Sequence, residues 1–185
     1  IDPVAPGIPP GSDVATLAML GYEPLKVYSG RGALEAVGSG VKVLPGDVAF
    51  RCNFATIDKS LTVVDRRAGR IANEDAAELA TSLQKVTVRK SLHVSFLFRN
   101  TVQHRGALVL HGSNLSTAVS DSDPEIEGKK ARKVMPLDKT PNAKHTARIL
   151  NELLRKFHEV LDEHPINKRR NKNKLPLANT ILIRG

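Results

Sequence analysis

Polar and apolar positions alternate sharply over VAFRCNFATI, residues 48–57. Val48, Phe50, Cys52 and Phe54 fall on one side of a strand, and Ala49, Arg51, Asn53 and Ala55 on the other. Asp58-Lys59-Ser60 predicts a hairpin loop into LTVVDRR, residues 61–67. The period turns helical over NEDAAELATSLQ, with Asn73 placed to cap and acids in the first turn, where the helix dipole favours them. Alternation returns in SLHVSFLFR, residues 91–99, with Leu92, Val94, Phe96 and Phe98 in phase. RGALVLHG, residues 105–112, predicts a buried strand bounded by glycines. Residues 113–143 show little periodicity and predict a long polar loop. The longest helix is predicted over residues 145–163. There Leu150, Leu153, Leu154, Phe157, Val160 and Leu161 form one apolar stripe, and Glu152 and Lys156 an i,i+4 pair. LANTILIRG then predicts a closing strand.

From residue 48 onward the order is β-β-α-β-β-loop-α-β. Hairpins with two packing helices predict an α+β fold whose antiparallel or mixed sheet is covered on one face. The first 47 residues are rich in Gly and Pro. They predict a Pro-Pro-Gly turn at 9–11, a short helix from Asp13 to Leu20, a GYEP turn, a YSGRG loop and a second helical piece near Gly32–Val37. VLPGD, residues 43–47, is a break. Ser12 stands at the first helix's start. It reads either as an N-cap or as a nucleophile set where unsatisfied N–H groups attract phosphate.

At 185 residues the chain fits one domain, or one domain plus part of another. Aromatic residues make up only 4%, with no tryptophan, too few for a base-stacking surface. The one cysteine, Cys52, excludes an internal disulfide and suits a reducing, cytoplasmic compartment as a small buried residue. No apolar run approaches a membrane span. The net charge of +9 suits an anionic small substrate, because positive clefts concentrate anions. The densest basic run, HPINKRRNKNK (164–174), reads as a solvated loop or as a nucleic-acid patch.

Several short strings combine arginine with polar partners. Arg51 and Asn53 lie opposite the apolar face of their strand. DRRAGR, residues 65–70, follows a strand, His104-Arg105 opens another, and SDSDP places Asp121 and Asp123 in a loop. Arginine grips phosphate or carboxylate with a two-pronged fork, so the set could converge on a di-anion, or each could sit at the surface. The six histidines form no metal-binding spacing, and Pro124 and Ile126 break the calcium-loop pattern that begins at Asp121. Ser12 and Asp13 could supply one or two ligands to a metal site completed elsewhere.

In series, APGIPPGSDVATLAMLGYEP, YSGRGALEAVGSGV, PGDVAFRCNFATID, VDRRAGRI, HRGALVL, SDSDP, HPIN and LANTILIRG resemble the archaeal-type cofactor-independent phosphoglycerate mutases of the alkaline phosphatase superfamily. The resemblance covers nearly the whole chain. It implies metal-dependent interconversion of 2- and 3-phosphoglycerate in glycolysis and gluconeogenesis, through a phosphoserine. It implies two divalent metals (Mn, Mg or Zn) and no 2,3-bisphosphoglycerate. Ser12 would be the nucleophile and a metal ligand. Substrate contacts would come from Arg51, Asn53, Asp65, Arg66, Arg70, His104, Arg105, Asp121, Asp123 and Arg184. Residues 1–47 would belong to a phosphatase-like α/β core and residues 48–185 to an inserted α+β substrate-handling domain. The other metal ligands would lie in the remainder of that core, outside this chain, so the chain alone is expected to be inactive. One departure is Thr16, where many members carry histidine.

Overall fold

A computed structural model describes residues 11–28, 30–89 and 92–184. The turn expected at Pro9-Pro10, and Ser29, Ser91 and Gly185 of the predicted segments, lie outside the described residues. Three short helices come first: α1 (Ser12–Met19), α2 (Pro24–Val27) and α3 (Arg31–Gly38). Then follow β1 (Val48–Ile57), β2 (Val63–Asp65), α4 (Asn73–Leu83), β3 (Val94–Asn100) and β4 (Arg105–Gly112). The chain ends with α5 (Pro141–Asp162), α6 (Pro165–Lys172) and β5 (Thr180–Arg184). Every named strand pair is antiparallel.

β1 organises the sheet. It pairs with β4 through residues 48–53, with β5 through 51–55 and with β2 at 56–57, while β3 completes a hairpin with β4. The alternation in β1 holds. Phe50, Cys52 and Phe54 join Phe98, Leu108, Leu110, Ile181 and Ile183 in the main core, under the apolar faces of α4 and α5. Phe157 of α5 meets Phe96 and Phe98 edge-on, with ring centroids 5.4 and 5.9 Å apart, a favoured aromatic geometry. Cys52 is fully buried, and burial pushes its thiol pKa up.

The opposite face is not bare, contrary to the one-sided covering expected. Ala36 of α3 and Val41 pack there on Ala107 and Val109. Gly32 permits this approach, because a Cβ on it would lie 2.1 Å from the Ala49 carbonyl oxygen. At the other end Ala55, Ile57, Val63 and Leu182 form a second small cluster. Between the two clusters the face is polar.

Other boundaries also differ from expectation. Ser12 is the first residue of α1 and Gly11 is the N-cap, so the serine caps nothing. Asn73 does not cap α4 either: the cap is Ala72, and Asn73 Oδ1 accepts the Gln103 N–H at 2.6 Å, tying α4 to the β3–β4 turn. α5 begins at Pro141, four residues earlier than its apolar stripe suggests. Thr140 Oγ1 accepts the Ala143 N–H, and proline suits the first helical position because its missing N–H would be unpaired there. Residues 164–174 are not a solvated loop. They form α6, capped by His164, with Ile166, Asn167 and Arg170 buried. The segment between β4 and α5 contains no helix or named strand, but it folds back onto the molecule and buries Ser122 and Asp123.

Candidate functional site

Strand register assembles the centre of the site. On the polar face, Arg51 of β1 lies across from Arg184 of β5, and Asn53 across from Arg105 of β4. The loop after β2 brings Arg66, Arg67 and Arg70 to the same place, and the β3–β4 turn brings Val102, Gln103 and His104. Together they line a cleft of 430 Å³. A second cleft of 600 Å³ adjoins it and shares Arg51, Val102 and Arg105. Ser12 and Asp13 of α1, Arg31 and Glu35 of α3, and Arg99 line this second cleft. The serine and the arginines therefore line two neighbouring clefts with a shared wall at Arg51, Val102 and Arg105.

The carboxylates brace the cations. Asp123 is fully buried and accepts from Arg66 Nε at 2.9 Å and from Nη2 at 2.6 Å. Burial alone would raise its pKa. The Arg66 fork and the Glu125 N–H outweigh that, and with Arg184 they hold the carboxyl below its ordinary value. The same bond raises the Arg66 pKa. Arg184 lies 2.8 Å from Glu125 and 4.0 Å from Asp121. Asp65 accepts the N–H groups of Arg67 and Gly69, which shapes the arginine loop. Thus Asp65, Asp121 and Asp123 contact the arginines or their loop, whereas the other predicted contacts line the clefts.

Two residues that line the arginine cleft each carry a buried polar atom with no hydrogen-bond partner among the described residues: Asn53 Oδ1 and His104 Nδ1. Such atoms are costly when left unpaired, so a bound group that supplied partners would be favoured. His104 is only 8% exposed. Burial, reinforced by Arg105, Arg67, Arg51 and Arg70, pushes its pKa down to about 4, leaving a neutral imidazole at pH 7. Arg51 is also lowered, by burial first and then by Arg105 and Arg31.

Ser12 is exposed as the first residue of α1, one position after the N-cap Gly11. Thr16 donates its hydroxyl to the Ser12 carbonyl at 2.7 Å. Asp13 accepts from the Tyr28 hydroxyl at 2.9 Å and lies 3.3 Å from Arg31. Burial and Asp13 raise the Tyr28 pKa to about 12. Sequence reasoning missed Arg31, Glu35, Arg67 and Arg99. Glu35 accepts from Thr101 Oγ1 at 2.6 Å and lies 3.9 Å from Arg51. Only Arg67 carried a signal, since it stands inside DRRAGR.

A family model described as 2,3-bisphosphoglycerate-independent phosphoglycerate mutase matches residues 1–167. A protein of that name from Methanobrevibacter smithii is 49% identical over 185 residues, covering 100% of this chain and 45% of the relative. One from Methanocaldococcus jannaschii is 52% identical over 179 residues, covering 97% of this chain and 43% of the relative. The chain belongs to the 2,3-bisphosphoglycerate-independent phosphoglycerate mutase family. The solved cofactor-independent phosphoglycerate mutase from Thermoplasma acidophilum superposes with a TM-score of 0.78 at 40% identity, over 92% of this chain and 45% of that one. The chain thus spans less than half the length of these mutases. Among the described residues no three His, Cys, Asp or Glu side chains converge as a metal-holding group. Ser12 offers one hydroxyl, far short of the six or more oxygens that a hard cation such as Mg²⁺ gathers. These residues alone do not make a metal centre. No described helix is long and apolar enough to cross a membrane.

Proposed function

We propose that the protein carrying this chain interconverts 2-phosphoglycerate and 3-phosphoglycerate through a phosphoserine at Ser12, as a step of glycolysis and gluconeogenesis in the cytoplasm. The observation that supports this most is a pair of neighbouring clefts that share Arg51 and Arg105, one lined by an exposed serine at a helix N-terminus and the other by the arginines of β1, β4, β5 and the loop after β2. Residues 1–47 form part of a phosphatase-like core, and residues 48–185 the inserted domain that handles the substrate. Two divalent ions (Mn, Mg or Zn), held mainly by the remainder of that core, would supply the Lewis acidity that activates a serine hydroxyl. No 2,3-bisphosphoglycerate takes part.

The residues of this chain divide the work. Ser12 Oγ gives up its proton as it attacks phosphorus, the bond from phosphorus to the glycerate oxygen breaks, and that oxygen takes up a proton. Arg51, Arg66, Arg70, Arg105 and Arg184 hold the two anionic ends while glycerate turns. The other glycerate hydroxyl then attacks the phosphoserine and frees Ser12. Asn53 Oδ1 accepts from a substrate hydroxyl, and neutral His104 pairs with a second polar group. Asp65, Asp121 and Asp123 keep the arginines in place.

The nucleic-acid alternative draws no support. Within the basic stretch 164–174, Arg170 is buried and braces the loop after β2, Arg169 pairs with Asp75 and Lys168 with Glu163.

Ser12→Ala in the full-length protein tests the reading. Turnover should vanish, while stability changes by less than about 0.5 kcal/mol, because Ser12 is exposed and is not the N-cap residue. Retained turnover would remove Ser12 from the chemistry.

A further inference from the structure

The loop after β2 holds an unusual backbone. Ala68, Gly69 and Arg70 follow one another with φ of 48°, 62° and 52°. Left-handed backbone is unfavourable for residues that carry a Cβ, and two of these three do. Such a run persists only where its surroundings over-determine it. Contacts from two sides do so. On one side the Asp65 carboxylate accepts the N–H of Arg67 at 2.7 Å and of Gly69 at 2.8 Å. On the other, Arg170 reaches over from α6. Its Nη2 donates to the Ala68 carbonyl and its Nε to the Pro176 carbonyl, each at 2.9 Å. The Arg170 side chain is only 8% exposed, and its Nη1 lies 3.7 Å from Asp75. Pro176 closes the turn from the same side, since a Cβ on Gly69 would come within 3.0 Å of its Cγ. The loop fixed in this way delivers Arg67 and Arg70 to the arginine cleft.

We propose that Arg170 is a positioning residue for anion binding: by clamping the Ala68 carbonyl it fixes the left-handed turn that aims Arg67 and Arg70 into the cleft. A guanidinium suits this task, because its planar fork bonds two carbonyls at set angles while a lysine ammonium is a compact charge whose three donors have no fixed fork. The basic run of the sequence is then a strut for the anion site. The proposal rests on the phosphoglycerate reading for the identity of the anion, but not for the clamp.

The test compares full-length protein with its Arg170→Lys and Arg170→Met variants, at a temperature where thermal melts show all three folded. Limited trypsin digestion read by mass spectrometry should cut after Arg67 and Arg70 about tenfold faster in both variants, relative to the other sites. Calorimetry should show 3-phosphoglycerate bound about tenfold more weakly. Adding Ala68→Gly to Arg170→Lys should restore most of that affinity, because glycine enters the left-handed turn unaided. A lower melting temperature with unchanged cleavage at 67 and 70 and unchanged affinity would overturn the positioning role. Failure of the unaltered protein to bind 3-phosphoglycerate would instead sink the phosphoglycerate reading, and the digestion would still decide the clamp.

Discussion

A buried imidazole facing four guanidinium groups gives His104 a pH signature. Its pKa of about 4 lies below the ordinary 6.5, so between those values the unfolded chain binds the extra proton. His104 therefore makes stability rise with pH from about 4 to 6.5, and the contribution is lost as pH falls through that window. His104→Gln should flatten this slope in denaturant melts taken across the range. A bound phosphate dianion would offset the arginine field, so the imidazole pKa should rise on saturation with phosphate in an NMR titration. An unmoved pKa would place the anion elsewhere. At this scale the sequence was partly informative. Arg51 and Asn53 were readable because alternation assigns them to the non-core face of β1. The buried ion pair of Asp123 with Arg66 was not, since nothing local to SDSDP shows that residue 123 folds under an arginine 57 positions earlier. Glu35 was missed for the same reason, its partners Thr101 and Arg51 being distant in the chain.

Among the elements, α3 joins the serine-bearing segment to the sheet. It rests on Gly32, whose Cα leaves room for the β1 backbone. Gly32→Ala should push the helix outward at a cost of about 1–3 kcal/mol, as overpacking does. It should also weaken phosphate binding, because Arg31 and Glu35 move with the helix. Urea melts and calorimetry check both, and a variant as stable as the parent would show that α3 does not need this contact. The strands and α4 were legible because their periods are long and regular. The start of α5 was not, because Thr140-Pro141 precedes the apolar stripe and signals a helix only through capping. α6 was misread as a loop because its charge hides what it buries: Asn167 Nδ2 donates to the Leu161 and Ala178 carbonyls, so polar side chains do the packing.

At the scale of the whole molecule, the proposed chemistry is shared between this chain and residues beyond it. The described residues bring the serine and the cations together but hold no metal-binding cluster. The 185-residue chain alone, given manganese and 3-phosphoglycerate, should show no turnover above blank, and clear turnover would contradict the division of labour. The arginines of four segments line one cleft, and Asp123 and Glu35 hold two of them. Rapid acid quenching of full-length protein during turnover, with the phosphorylated peptide sequenced by mass spectrometry, tests whether Ser12 carries the phosphoryl group. A phosphoryl group should be found on Ser12 and should disappear when substrate is exhausted. A phosphoryl group on another residue, or none at any time during turnover, would contradict a phosphoserine at Ser12.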